Sequence, residues 1–377
     1  MSTAGPAAIA LTRAQVLGYR AEVHDLRRPA RDPLGAGVLL AGVQDYPPGR
    51  TATAALRVRA AEVDATRLVL LQSVRGAPHL HRAADFECFA TALRTLRATD
   101  LAKEQFGELG QELAGQRISL GWALDHVADA MRQVSADGRP RTKGELSTAV
   151  TPLVDARLRP WCPGCAVHHV QDALFRYATL QARLALAVQP SGFHYVPAPD
   201  AAPAPNPAES MTTLVRRFLR LCGPCRPEQL ARWLALDPTA ARRLWQQLAD
   251  QLVAVIVDGR PCWAHHEELG ELRDASAATE IRLLPPYDPL TELADRELLL
   301  PDRTRRSTVW RAVGNPGVLL VRGEIAGTYR QRATARRLTV TIQPFVTLAA
   351  ADRRAALRHA ESLAAPEGPP VEATFAS

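Results

Sequence analysis

The sequence predicts an α+β protein that is mainly α-helical. Apolar residues recur at the helical period through residues 86–188 and 211–250, whereas short apolar runs broken by turn residues take over beyond residue 280. Between these two patterns, residues 252–265 read as two strands joined by the hairpin signal Asp258-Gly259. A chain of 377 residues is too long for one compact core, so we expect two or three units, each able to fold alone.

The composition is that of a folded protein. Hydrophobic residues form 47% of the chain, and charged residues are interspersed among them. No apolar stretch reaches the ~18 residues of a bilayer-spanning helix. The N-terminus has no basic residue ahead of its short apolar run, which argues against a secretory signal. We therefore expect a cytoplasmic protein with no membrane partner.

In the N-terminal region, residues 1–188, an apolar run expected to be buried ends abruptly in polar residues. Residues 41–50 read AGVQDYPPGR, in which Gln44, Asp45 and Tyr46 follow apolar residues and precede two prolines. One interpretation is an Asx-turn, in which Asp45 bonds its own backbone. The other is a reactive site, because the prolines enforce the irregular backbone from which adjacent side chains can reach one point. Taken alone, the stretch favours the turn.

Residues 86–188 continue this region with mostly helical periodicity. Thr142 and Glu145 form a capping box at the start of one helix. Residues 168–186 (HHVQDALFRYATLQARLAL) predict one long amphipathic helix.

Two further segments differ in composition from the units around them. Residues 189–210 are rich in proline, which predicts a stiff linker or a long exposed loop. Residues 346–377 predict a last helix followed by a frayed tail.

Residues 211–270 predict three helices followed by a β-hairpin, which is the element order of a winged helix. Pro227 opens the second helix, and Asp237 is a suitable N-cap for a third helix with Pro238 in its first turn. The strands LVAVIV and PCWAHH follow. A second, more divergent winged helix is compatible with residues 86–188, so we expect tandem winged-helix motifs.

The third helix of a winged helix is the one offered to the major groove of DNA. Its outward side chains here are Arg242, Arg243, Gln246 and Gln247, which can reach phosphates and base edges. We therefore predict DNA contacts at Arg242 and Arg243. The alternative is a protein-interaction module whose third helix is merely solvated.

Residues 280–345 predict a small β unit that carries most of the positive charge. Residues 303–337 hold nine arginines and one acid, a local charge of +8 in a chain of net charge +7. Phosphate backbones are the usual partner of such a patch, and Arg303, Arg305 and Arg306 are candidate contacts. The alternative is a solvated basic surface without a partner.

Four of the six cysteines form two Cys-x-x-Cys pairs, CPGC at 162–165 and CGPC at 222–225. The second pair has the letters of thioredoxin-like enzymes, but it follows an amphipathic helix instead of a strand. A zinc site shared by the pairs would have to close a gap of 56 residues, although His168 and His169 are alternative ligands for the first pair. Buried reduced thiols are the default, so we expect no metal.

Five strings in the sequence point to a known family. LLPPYDPL, LLLPD and VWRAVGNPGVLLVRGEIAGTYR, together with WCPGCAVHH and RGAPHL, resemble the AlkZ-like DNA glycosylases. These are the azinomycin-resistance and interstrand-crosslink-unhooking enzymes, and the similarity runs from about residue 10 to about residue 345. The resemblance implies tandem winged-helix motifs joined to a small C-terminal β-barrel-like unit. It also implies a monofunctional DNA glycosylase without a metal or organic cofactor.

The resemblance further implies a catalytic motif of two polar residues flanking an aliphatic one, Gln-x-Gln or Gln-x-Asp, after a segment like GLQ. Gly42-Val43-Gln44 matches that segment and places Gln44 at the first catalytic position. By count, Asp45 then takes the aliphatic position and Tyr46 the second catalytic one, which departs from the family pattern. Either the motif has become Gln44-Asp45, or the site is altered or lost.

The chemistry of base excision also gives Gln44 and Asp45 roles. A purine alkylated on a ring nitrogen is cationic and leaves easily, so an enzyme must mainly stabilise the oxocarbenium-like sugar and hold a water. The carboxylate of Asp45 can supply negative charge and accept the proton of that water, while Gln44 orients it.

The expected partner is double-stranded DNA carrying alkylated bases, bound by a monomer that associates with the nucleoid. Arg75 is a candidate phosphate contact, and His79 and His169 are candidates for the groove or the lesion gap. Satisfied core or surface histidines are the alternative. The rival hypothesis for the whole protein is a non-catalytic winged-helix DNA-binding protein, a regulator or damage binder, which the departure at Tyr46 favours.

Overall fold

The computed structural model describes residues 9–60, 64–102, 110–199, 205–293, 295–311, 313–364 and 368–376. Its helices include α1 (Arg13–Val23), α2 (Thr51–Arg57), α3 (Phe86–Arg94), α4 (Leu120–Ser135), α5 (Lys143–Val150), α6 (Asp172–Gln181), α7 (Pro207–Cys222), α8 (Pro227–Leu234), α9 (Pro238–Gln246), α10 (Leu269–Asp274), α11 (Pro289–Leu293), α12 (Arg296–Leu299), α13 (Arg306–Val309) and α14 (Ala350–Glu361). Its strands are β1 (Ile9–Leu11), β2 (Val43–Gln44), β3 (Leu68–Gln72), β4 (Pro78–Arg82), β5 (Arg141–Thr142), β6 (Trp161–Cys162), β7 (Val167–His168), β8 (Leu184–Gln189), β9 (Gly192–Pro197), β10 (Leu252–Val257), β11 (Arg260–His265), β12 (Ile281–Leu284), β13 (Gly317–Val321), β14 (Glu324–Ala333), β15 (Leu338–Pro344) and β16 (Val371–Phe375). The mixture of helices and strands confirms the predicted α+β class.

The first unit builds a small sheet around the AGVQDYPPGR segment. Strand β4 lies between β2 and β3 and pairs antiparallel with both. Gln44, at the end of β2, is opposite His79 in β4. Apolar side chains from β2 and α2 form a small separate cluster on this sheet, which fixes the chain on both sides of the Gln44 turn.

The second unit contains α4, β5, α5, α6 and the hairpin β8–β9, with β9 between β5 and β8. Thr142 and Glu145 form the predicted capping box at the start of α5. The predicted single helix over residues 168–186 is wrong. Helix α6 ends at Gln181 because Arg183 adopts the left-handed conformation, with φ of 59°, and the apolar residues that follow become β8.

The stretch expected to be a linker, residues 189–210, also holds regular structure. Strand β9 pairs with β8 from Gln189↔Gly192 onward, so the expected loop is partly a β-hairpin. Helix α7 begins at Pro207, where the side chain of Asn206 accepts hydrogen bonds from two backbone amides of the first turn. The division into domains itself stays a prediction.

The third unit has the predicted elements. Helices α7, α8 and α9 are followed by the antiparallel hairpin β10–β11, and Asp237 caps α9 ahead of Pro238. Asp258 and Gly259 turn the hairpin with φ of 49° and 73°. Strand β1 adds to this hairpin by pairing parallel with β10, which ties the start of the described chain to residues 252–257.

The C-terminal unit is a five-stranded sheet in the order β12-β13-β14-β15-β16, curled like half a barrel, with α14 packed against it. The expected frayed tail is wrong for residues 371–375, which form β16 and pair parallel with β15. Val371, Ala373 and Phe375 pack against the apolar core of this unit, which holds β16 on the sheet. No described helix combines the length and the apolar character of a membrane span.

Candidate active site

The side chain of Gln44 is held in one orientation by Arg75. The Arg75 Nη2 atom donates to Gln44 Oε1 at 2.8 Å and lies 3.3 Å from Oε2 of Glu292. Its Nη1 atom donates to the carbonyl of Trp233 at 2.8 Å. Because the amide oxygen of Gln44 is engaged, its Nε2 group is left to donate, and no described residue accepts from it. Gln44 is therefore a half-buried, preoriented amide.

Asp45 has a different role from the one that its carboxylate suggested. Its side chain is 2% exposed, and its two oxygens accept the backbone amides of Gly49, Arg50 and Ala52 at 2.5–3.1 Å. These bonds close the turn and cap the start of α2. A carboxylate with three backbone donors and almost no exposure is not available to a sugar or a water, so the geometry supports the turn interpretation over the catalytic one.

Tyr46 is the exposed member of the motif. Its backbone amide donates to Thr51 Oγ1, whereas its ring is 55% exposed and meets Tyr287 edge-on at 6.4 Å between ring centroids. Tyr287 belongs to LLPPYDPL and has a left-handed φ of 62°. Burial raises the pKa of the Tyr287 hydroxyl above its ordinary value. The two tyrosines form an aromatic pair beside Gln44.

The carboxylate that does reach the Gln44 cluster is Glu292, which the sequence interpretation missed. It lies on the short helix α11, directly after LLPPYDPL, and its side chain is 18% exposed. Glu292 and Gln44 both contact the guanidinium of Arg75. The signal was present in the sequence, since TEL continues the most family-specific string, but nothing local indicates that α11 packs near β2.

A fully buried ion pair fixes α11 relative to the Gln44 segment. Arg59, just past α2, and Asp288, just before α11, have fully buried side chains and form two parallel hydrogen bonds of 2.7 Å. Arg59 also donates to the carbonyls of His24 and Ala55. Because all these donors converge on one guanidinium, the chain segments that carry Gln44 and Glu292 cannot slide past each other without breaking it.

Two residues predicted to contact DNA are engaged by other groups of the protein. Arg75 is engaged by the three groups described above, so it is a positioning residue and not a free phosphate contact. His79 is 3% exposed, and its Nδ1 donates to the carbonyl of Ala77. Burial, followed by the nearby charge of Arg75, lowers the pKa of His79 well below its ordinary value, so the ring is neutral. His79 is a core residue, which corrects the prediction.

The arginines predicted to contact DNA, on α9 and at residues 303–306, differ in whether other groups of the protein already engage their guanidinium groups. Arg242 is exposed without a salt bridge to any described residue, while Arg243 pairs with Asp100 at 2.9 Å. Arg303 and Arg305 are exposed, and the Arg305 guanidinium lies over the Phe345 ring. Arg306 is occupied, since it donates to the carbonyls of Leu300 and Pro301.

A second set of basic residues lies on the β14–β15 hairpin. Arg330 and Arg332 are two residues apart on β14, opposite Thr341 and Thr339 of β15, and both are exposed. Neither forms a salt bridge with a described residue, and they line a shallow groove with Arg337. The sequence identified the charge of this segment but not which of its arginines remain unpaired.

The predicted contact His169 lies apart from these residues. It follows the short hairpin β6–β7 and is half-buried beside Cys162 and Cys165. The structure therefore brings Gln44, Arg75 and Tyr46 together with Glu292 and Tyr287, and leaves His169, Arg242 and the basic hairpin at other places on the surface.

Comparison with known proteins identifies the family. The model of the family described as DNA glycosylase AlkZ-like matches residues 48–365, so the chain belongs to the AlkZ-like DNA glycosylase family. The match begins just after Gln44-Asp45-Tyr46, so these three residues lie outside it.

Two further comparisons, one of sequence and one of structure, both gave a match from Streptomyces sahachiroi. The chain is 32% identical over 134 residues to a protein named interstrand DNA cross-link repair glycosylase; the alignment covers 33% of this chain and about a third (35%) of that relative's length. The solved structure named DNA glycosylase AlkZ from the same organism matches with a TM-score of 0.74 at 21% identity, covering 97% of this chain and 100% of that one. The second comparison shows a shared fold.

Proposed function

We propose that the protein is a monofunctional DNA glycosylase that excises N-alkylated purines, including N7-alkylguanines with bulky or crosslinked substituents, from duplex DNA. The observation that carries the proposal is the Gln44 amide, which Arg75 holds with its Nε2 group unengaged beside the carboxylate of Glu292. Family membership supports the reaction class, and the polar site supports hydrolysis as the step.

Gln44 and Glu292 divide the work of hydrolysis. The oxygen of a water attacks C1′ of the sugar while the bond from C1′ to the base nitrogen breaks, and the electron pair of that bond neutralises the cationic base. Glu292 stabilises the positive charge that develops on the sugar and accepts the proton of the water. Gln44 holds the water through its amide group. The products are the free modified base and an abasic site.

Asp45 and the tyrosines have supporting roles in this proposal. Asp45 positions Gln44 by closing the turn, and its three backbone hydrogen bonds support that role. Tyr46 and Tyr287 offer an aromatic surface beside the site, and aromatic rings stack on bases that have left a duplex. In this proposal Tyr46, at the second motif position, contacts DNA and takes no part in acid–base chemistry.

Duplex binding in this proposal uses the winged-helix arrangement. We infer that α7–α9 with β10–β11 form one winged helix and that α4–α6 with β8–β9 form a second one, because each set ends in a hairpin after three helices. Exposed arginines at 242, 303, 305, 330 and 332 supply the phosphate contacts.

Base release from a defined duplex tests the proposed function. Duplexes carrying one N7-methylguanine or one bulky N7-alkylguanine are incubated with the wild type and with Gln44→Ala, and the free base and alkali-labile abasic sites are measured. We expect the wild type to release at least one of the adducts above the spontaneous rate and Gln44→Ala to be strongly impaired. Tight duplex binding with no release of either adduct would overturn the proposal in favour of a non-catalytic binder.

A further inference from the structure

The CPGC pair sits on a hairpin too small to hold itself together. Strands β6 and β7 have two residues each, and Trp161 and Val167 on this hairpin are 54% and 50% exposed. Two-stranded hairpins of this length are not stable in water without further support. This hairpin has few buried side chains and is held by a ring contact between Trp161 and His168 and a hydrogen bond from His168 to the carbonyl of Arg159, so a bound ion would add a further link.

Three side chains that bind metals converge at this hairpin. One ligand atom from each of Cys162, Cys165 and His169 lies within 4.8 Å of the others, and no other trio of ligand residues was found this close in the described part of the chain. The C-x-x-C turn with a histidine four residues further on resembles the ligand spacing of small zinc sites. Cys165 is exposed and the other two are half-buried, so an ion can reach them from solvent.

One hydrogen bond at the trio already suits a metal. His169 Nδ1 donates to the carbonyl of Val170 at 2.7 Å, so the lone pair of the other ring nitrogen, Nε2, is left for an ion. A ligand histidine whose ring is fixed by a backbone carbonyl is a supporting contact found around metal sites in proteins.

The second cysteine pair provides an internal contrast. Cys222 and Cys225 are fully buried, and Cys222 donates to the carbonyl of Leu293. Burial raises the pKa of Cys225 and of Cys262, so these are protonated core thiols, as the sequence predicted. The same Cys-x-x-Cys spacing therefore serves packing in one place and converging ligands in the other.

We propose that Cys162, Cys165 and His169 bind one zinc ion, with water completing the tetrahedron. Two thiolates and one imidazole are a donor set that zinc prefers over magnesium or calcium. The ion joins the CPGC turn to the chain that enters α6, so it fixes the hairpin next to the first turn of that helix. This metal site departs from the sequence expectation of no metal.

Metal content and cobalt substitution test the zinc site in the full-length protein. The protein is purified without chelators, in a non-chelating reductant, and its zinc is measured per chain. The zinc-free protein is then titrated with Co²⁺. We expect one zinc per chain and the charge-transfer and visible absorption bands of tetrahedral cobalt bound to thiolate. The control Cys88→Ser, in which another half-buried thiol is removed, should retain both signals.

Two variants separate loss of the ligands from loss of the fold. Cys162→Ser should abolish the cobalt bands and the zinc, whereas His169→Cys, which exchanges one ligand for another, should keep the zinc. The proposal is overturned if the wild type binds neither metal, if zinc persists in Cys162→Ser with Cys165 also replaced by serine, or if Cys162 and Cys165 form a disulfide that does not yield to reductant and metal.

Discussion

Arginine side chains have different roles in two regions of this molecule. In the region around Gln44, Arg59 is fully buried against Asp288, and Arg75 joins Gln44 to Glu292. These guanidinium groups are neutralised by acids and surrounded by carbonyls, so they attract little from outside. They set the position of other groups instead.

On the β14–β15 hairpin the opposite holds. Arg330 and Arg332 project from one face of the sheet, exposed and without an acidic partner among the described residues. Arg322, in the turn between β13 and β14, is held by Asp352. The arginines of residues 303–337 therefore include both paired, structural guanidinium groups and unpaired ones. Only the unpaired groups can release counterions from DNA.

The largest effect is expected on stability, from loss of the buried Arg59–Asp288 ion pair. Asp288→Ala leaves the Arg59 guanidinium charged, buried and unpaired, so we expect the free energy of unfolding to fall by about 3–5 kcal/mol. Urea unfolding followed by circular dichroism measures this. The double variant Arg59→Met with Asp288→Leu removes both charges and should recover much of the loss; equal losses in the single and double variants would show that the charge is not the cause.

Removing the Gln44 amide should slow chemistry without comparable loss of stability. Gln44→Ala deletes the group that we propose to hold the water, and we expect single-turnover excision to slow by about 10²–10³-fold, equivalent to about 2.7–4 kcal/mol. The matched control is Gln133→Ala, an exposed glutamine on α4 that has no role in the proposed mechanism and should excise at the wild-type rate. Equal rates for the two variants would remove Gln44 from the mechanism.

Acid should destabilise the buried region. Burial lowers the pKa of His24 and of His81 to about 3, whereas both rings take up protons near the ordinary value of 6.5 once the chain unfolds. Their stabilisation is therefore present above pH 6.5 and is lost as the pH falls towards 3, at about 1.4 kcal/mol per pH unit for each histidine. His81→Gln should reduce the dependence of unfolding free energy on pH by that amount between about pH 6 and about pH 4.5. An unchanged slope would contradict the neutral assignment.

The smallest effect is expected on DNA binding, from the exposed arginines of the β14–β15 hairpin. Arg330→Ala and Arg332→Ala should each reduce the slope of log affinity against log salt by about one unit for duplex DNA, with no change in stability. Fluorescence anisotropy across a salt series measures the slope. Arg322→Ala serves as the control because its guanidinium is already paired with Asp352, and its slope should stay at the wild-type value.

The sequence predicted the elements that depend on local signals. Asp237 ahead of Pro238 and the Asp258-Gly259 turn determined where α9 starts and where the β10–β11 hairpin turns, and both are present as predicted. The long helix over residues 168–186 failed because a short apolar run fits a buried helix or a buried strand equally well.

Contacts between distant segments escaped sequence analysis for a different reason. Strand β16 pairs with β15 across α14, and no local pattern specifies such a partner. Glu292 meets Arg75, which in turn contacts Gln44, and the Arg59–Asp288 pair joins the same remote segments of the chain. Gln44 was identifiable from its motif, whereas the carboxylate next in line, Asp45, proved to be used by the backbone of its own turn.

We propose that the site draws its carboxylate from Glu292 and not from Asp45. Single-turnover excision of an N7-alkylguanine by Glu292→Gln and Asp45→Asn, both at a temperature where circular dichroism shows them folded, tests it directly. We expect Glu292→Gln to lose about 10²–10⁴-fold in rate. Asp45→Asn should lose about 1–2 kcal/mol of stability through its weakened cap but excise within about tenfold of the wild type. A folded Asp45→Asn without activity, beside a fully active Glu292→Gln, would show that Asp45 and not Glu292 supplies the carboxylate.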